Sequence, residues 1–171
     1  MAQLLFLLIT IAGCSLSGIS GWLGIKWGDE AAGAGGRLGM TCTRWDAWQA
    51  GSPFEACIDF DHTVTALGAP ALPRLIRDAG KLEGLQLVYR SCDGDAATAL
   101  RDKVVHEFKL KSSGGKVPYQ VFKDGSLVHF AADANDHTCT LTLASPTFGK
   151  VFAEAQLKAG LGTLSGRLRP Q

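Results

Sequence analysis

The chain reads as an α/β domain with a mixed central sheet flanked by helices on both faces. Two observations predict this. From Thr41 onward, short apolar strand-like runs alternate with segments of helical periodicity. Near the carboxyl end, the turn Lys123-Asp124-Gly125-Ser126 separates two short strands, a hairpin signal, before a final amphipathic stretch. The 171 residues, 46% of them hydrophobic with 8 Phe and 4 Trp, suit one packed domain with a flanking segment.

The elements follow in order. Leu4 to Ala12 is an unbroken apolar run, shorter than the ~20 residues a membrane span needs, so residues 1–18 are expected to be a signal peptide or anchor. Ile11-Ala12-Gly13-Cys14 also resembles a lipoprotein signal, with Cys14 as the lipidated residue, although Met1, Ala2 and Gln3 carry no basic side chain. Residues 19–37 hold so many glycines that a linker is expected, with Trp22 and Trp27 resting on the domain, an interface or a membrane surface.

The domain then spans Leu38 to Gly162, leaving residues 163–171 as a tail. Thr41 to Thr43 predicts a strand, and Arg44 to Ala50 a short helix with Trp45 and Trp48 on one face. Phe54 to Phe60 reads as a strand buried on both sides, followed by a loop over Asp61 to Ala69. Pro70 to Ala79 has Leu72, Leu75 and Ile76 at helical spacing, with Pro73 as a kink. Leu85 to Arg90 is a strand, Ala96 to Phe108 a helix with Leu100, Val104 and Phe108 on one side, and Lys109 to Lys116 a connection. The hairpin, a strand over His137 to Leu143 and a helix over Pro146 to Leu161 complete the order βαβαβαββ(β)α, whose crossovers predict parallel neighbours.

Composition excludes some functions. Lys plus Arg number 17 against 16 Asp plus Glu, and a formal charge of +1 offers no field for nucleic acid. Membrane contact is expected only through the amino-terminal segment. The Gly-rich stretch Ala31 to Gly39 lacks a phosphate-cradling pattern, so no cofactor is expected. With Cys14 set aside, Cys42, Cys57, Cys92 and Cys139 form an even set that permits three disulfide pairings in an oxidising lumen, or four small buried side chains. None lie at CxxC spacing, which argues against zinc. His62, His106, His129 and His137 are scattered without a Ser or Cys partner and read as surface or half-buried residues, while Phe148 and Phe152 read as core.

Specific residues carry a resemblance. Ile58-Asp59-Phe60 is similar to the Val-Asp-Phe that ends the central thioredoxin strand, and Pro73 stands thirteen residues beyond Phe60, where that family kinks a helix. Val117-Pro118-Tyr119-Gln120-Val121-Phe122-Lys123-Asp124-Gly125 resembles the family's cis-proline strand and hairpin, with Tyr119 in place of the usual Thr and an insertion around Ala131 to Thr142. The resemblance implies a thioredoxin-like domain whose CxxC is replaced by Thr65-Ala66-Leu67-Gly68, so that no thiolate is available for disulfide exchange. Asp59 then has no thiol to serve and is expected to be a paired or partly solvated carboxylate.

A redox-inactive chain of this kind resembles the non-catalytic lumenal chaperones of the protein disulfide isomerase family, and Phe108-Lys109-Leu110 is similar to their Tyr-Lys-Leu. That implies binding of protein partners through Thr65, Ala66, Leu67, Gly68, Val117, Pro118 and Tyr119, with the endoplasmic reticulum as the expected compartment. Arg167 to Gln171 is not a KDEL-type retrieval signal. Two alternatives stand beside this reading. One is an accessory subunit of a larger organellar or membrane assembly, to whose thioredoxin-fold members Leu87-Val88-Tyr89-Arg90-Ser91-Cys92 is loosely similar. The other is an oxidoreductase with relocated cysteines.

Overall fold

A computed structural model of the chain describes residues 18–110 and 119–158. Its class is mixed α/β. A hairpin of β1 (Gly21–Trp22) and β2 (Ile25–Lys26) leads into helix α1 (Ala31–Arg37). Strands β3 (Asp46–Ala47), β4 (Glu55–Ile58), β5 (Val64–Ala66), β6 (Ala69–Asp78) and β7 (Lys81–Arg90) follow. Helix α2 (Gly94–Glu107) precedes β8 (Tyr119–Val121), β9 (Leu127–Asp133) and β10 (Thr138–Ala144), and α3 (Pro146–Lys158) comes last. The main sheet runs β3-β4-β6-β7-β10-β9-β8, with β5 paired to the start of β6.

Among the described residues every strand pair is antiparallel, so the parallel crossovers expected from a thioredoxin-like order do not form. The decisive departure is β6, a ten-residue strand where the spacing of Leu72, Leu75 and Ile76 predicts a helix. A central strand buried on both faces is apolar on both, and its pattern then mimics helical periodicity. Leu75 packs into one core cluster and Ile76 into the other. Pro73 pairs with Leu87 on β7, while β4 ends at Ile58, opposite Arg74. The strand edge at Pro73 is therefore open on the β4 side, where a residue without an N–H is tolerated. Ala79 and Gly80, at φ 46° and 80°, turn the chain directly into β7, the two-residue geometry that matches strand twist.

Residues 19–37 are not a linker. Gly28 N donates to Leu82 O at 2.8 Å, Leu82 N to Asp29 O at 2.8 Å and Ala31 N to Gly80 O at 2.9 Å, which ties this segment to the β6–β7 turn. Ile19, Ile25, Ala31 and Ala34 are buried. The small residues let α1 approach the sheet closely: a Cβ on Gly35 would lie 3.5 Å from Leu75 Cδ1. The strand expected over Thr41 to Thr43 and the helix over Arg44 to Ala50 are also absent. Trp45 instead lies under the Arg77 guanidinium at 4.1 Å and Trp48 packs edge-on against Phe148, because opposite faces of the sheet claim the two rings.

Helices α2 and α3 and the β8–β9 hairpin form where their patterns place them. Leu100, Val104 and Phe108 of the α2 segment join Leu75, Leu85, Leu87, Leu141 and the α1 residues in the larger core. On the other face, α3 sets Phe148 and Phe152 against Phe54, Ala56, Ile76, Leu127 and Ala144. Two disulfides staple the fold, Cys42–Cys57 beside α1 and Cys92–Cys139 joining the chain just past β7 to β10. They resolve the three open pairings into one. Among the described residues no helix is long and apolar enough to cross a membrane.

Candidate functional site

Strands β5 and β6 meet in a two-residue turn, Leu67-Gly68, with both residues left-handed at φ 54° and 74°. Glycine accepts that conformation readily. Leucine does not, and asparagine is the side-chain-bearing residue best suited to it. Leu67 is half-buried against the larger core, and its carbonyl accepts a hydrogen bond from Lys103 Nζ at 3.0 Å, which ties the turn to α2.

Helical spacing accounts for the opposing wall. Ala99, Asp102, Lys103, His106 and Glu107 recur at three- and four-residue intervals, hence on one face of α2, whereas Leu100 and Val104 point into the core. Together with Leu67 these five residues line an open cleft of about 390 Å³. Its apolar part is Leu67 and Ala99, and its rim carries both signs of charge. Asp102 pairs with Arg101 at 3.0 Å and Lys103 is bound to the turn, while His106 and Glu107 are exposed. The cleft thus sets two apolar side chains beside an imidazole, an ammonium and two carboxylates.

The expected binding residues are not all brought together. Thr65 is exposed, Ala66 is buried and presents no surface, Leu67 lines the cleft, and Gly68 faces Lys103. Tyr119 lies on β8, separated from β6 by β7, β10 and β9 in the strand order, and packs against His129 instead. Val117 and Pro118 fall outside the described residues, as do Cys14 and the connection from Lys111. The sequence reading missed the α2 wall. Its signal was the polar repeat at positions 102, 103, 106 and 107, opposite the apolar stripe.

Asp59 fastens a loop. Its carboxylate accepts from Thr41 N at 2.9 Å and Asp61 N at 3.2 Å, and the Thr41 bond is the main reason its pKa is lowered. His62 Nε2 lies 2.6 Å from Leu38 O, so both side chains join the 59–62 turn to the segment entering Cys42. Among the described residues no three His, Cys, Asp or Glu side chains converge as a metal site.

His129 has a different environment. Its ring lies 5.7 Å from Tyr119 and 5.4 Å from Phe152, and burial pulls its pKa down to about 4. The unfolded chain protonates this residue as pH falls through about 6.5, so between pH 6.5 and 4 the unfolded state binds more protons. The neutral ring's contribution is therefore whole above pH 6.5 and lost as the pH drops toward 4. In urea melts the wild type should lose up to ~3 kcal/mol across that window, and His129→Phe should lose markedly less. Asp59, whose lowered pKa makes its contribution fade only below the ordinary carboxylate range, titrates outside most of that window.

Comparison of the chain with protein-family models, with curated proteins and with solved structures finds no match.

Proposed function

We propose that the chain is a non-enzymatic protein-binding module of the chaperone or escort type, acting in a secretory or organelle lumen. The observation that carries this reading is the cleft between the Leu67 turn and α2, with an apolar floor and a rim of mixed charge. Such a surface suits a polypeptide, which offers apolar side chains and charges of both signs. Leu67 adds weight. A leucine held at positive φ costs roughly 1–2 kcal/mol that asparagine or glycine would avoid, and strain of this kind gathers at functional turns.

The two disulfides support a lumenal compartment, since such bonds persist in oxidising surroundings. The four described cysteines are consumed in them, which favours binding over thiol exchange. Kinship with thioredoxin-like chaperones is supported locally, by the hairpin motif from Tyr119 to Gly125. The antiparallel order of the sheet weighs against a shared overall fold.

The test uses reduced, carboxymethylated lactalbumin, a permanently unfolded polypeptide, labelled for fluorescence anisotropy. Saturable binding is expected. Leu67→Asn should fold within ~1 kcal/mol of the parent, since relief of backbone strain offsets the lost apolar contact, yet bind roughly tenfold more weakly. Equal binding by parent and variant, or turnover in an insulin-reduction assay, would refute the reading.

A further inference from the structure

The sheet carries a second feature on the face opposite α1 and α2. Strand register places Ile58, Arg74, Gln86, Thr142, His129 and Tyr119 side by side, one residue from each of β4, β6, β7, β10, β9 and β8. They form a single row across six strands. Leu75, the neighbour of Arg74, packs toward α1 in the larger core, so Arg74 points to the α3 side. There α3 covers Ala56, Ile76, Leu127 and Ala144 with Phe148 and Phe152, and Phe152 reaches His129.

Within the row the hydrogen bonds run in one direction. Arg74 Nη1 donates to Gln86 Oε1 at 3.4 Å, and Gln86 Nε2 donates to Thr142 Oγ1 at 3.1 Å. Gln86 and Thr142 are 7% and 1% exposed, so the amide is fixed with its oxygen toward the guanidinium. Arg74 is itself half-buried, and burial lowers its pKa. Its one partner among the described residues is that neutral amide. Arg77, three positions along the strand, pairs with Glu55 at 2.7 Å and stacks on Trp45. Arg74 has no such counterion among the described residues.

We propose that this row is a carboxylate-binding site, with the guanidinium of Arg74 taking the anion on its unused N–H groups. The charge balance selects the ligand class. The row offers one cation, one neutral amide and the hydroxyls of Thr142 and Tyr119, and His129 is neutral at pH 7. That matches a monoanion, whereas a doubly charged phosphate would need further cations. A guanidinium binds a carboxylate through two parallel N–H···O bonds, a geometry in which lysine is no substitute. Around Arg74 the sheet presents Ile58, Leu72 and Val88, so the ligand carries an aliphatic portion beside its acid group. The site is independent of the Leu67 cleft, which lies with α2 on the other face.

The test is solution NMR on the full chain with both disulfides intact, following the Arg74 Nε–H resonance. Three probes are titrated: octanoate, its neutral analogue octanol, and the peptide acetyl-Val-Glu-Val-amide. Octanoate should give a saturable shift at least tenfold tighter than octanol, lost in Arg74→Gln and kept in Arg90→Gln. If the peptide rather than octanoate shows this Arg74 dependence, the site stands and its carboxylate comes from a polypeptide. Octanoate and octanol binding equally, a comparison that needs no variant, would overturn the proposal. So would an Arg74→Gln protein that folds and binds octanoate undiminished.

Discussion

Replacing Cys92 and Cys139 together by alanine should cost the fold about 4 kcal/mol, against about 3 kcal/mol for the Cys42 and Cys57 pair, by loop-closure entropy. The two bridges close 47 and 15 residues respectively. The longer loop contains α2, β8 and β9, so cutting it frees the helix that forms one wall of the cleft and the far edge of the sheet. Alanine is chosen because Cys92 and Cys139 are 4% and 0% exposed, and a serine hydroxyl there would add its own desolvation penalty. In thermal unfolding the loss corresponds to a fall in Tm on the order of 10 °C for a domain of this size. A larger loss from the Cys42–Cys57 pair would show that native-state packing around the bridge, not chain entropy, sets its contribution.

Phe148→Ala should cost ~3–5 kcal/mol, the range for deleting a buried aromatic ring. The Phe148 ring meets Trp48 at 4.9 Å, Phe54 at 5.1 Å and Phe152 at 6.0 Å between centroids, so one deletion loosens the whole cluster under α3. Gly84 makes the seat. A Cβ there would stand 2.7 Å from Phe148 Cδ1, a contact that no close-packed core accepts. With α3 loosened, Phe152 no longer shields His129, whose pKa should climb back toward its ordinary value. Urea melts followed by tryptophan emission measure the first effect, and an NMR titration of the His129 ring measures the second. A variant that loses stability while His129 stays shielded would mean that α3 remains docked without this ring.

The same packing explains what was legible beforehand and what was not. Helix α2 announced itself because Leu100, Val104 and Phe108 repeat on one side while the rest of its surface is polar, and only a helix with one wet face keeps that pattern clean. Strand β6 could not. It is apolar on both faces because α1 covers one and α3 the other, and a two-sided strand carries no alternation to read. Residues 19–37 misled for a related reason: glycine and alanine signal freedom when counted alone, yet here they let α1 lie against Leu75.

For the candidate site, Leu67 was legible only through a local resemblance to another family's sequence pattern. Its importance in this chain comes from Lys103, thirty-six residues away in the sequence, which captures its carbonyl. The row through Arg74 is less visible still, since its members come from six strands and share no spacing. By itself the sequence determined the local matters: two amphipathic helices, one hairpin and, Cys14 set aside, an even set of cysteines, each written in the chemistry of neighbouring residues. Only the tertiary structure decided which cysteines pair, which strands are neighbours and which charges, among the described residues, go without a counterion. Those outcomes depend on contacts between distant segments, where burial on both faces of a sheet erases the periodic signal that short-range physics leaves in a chain.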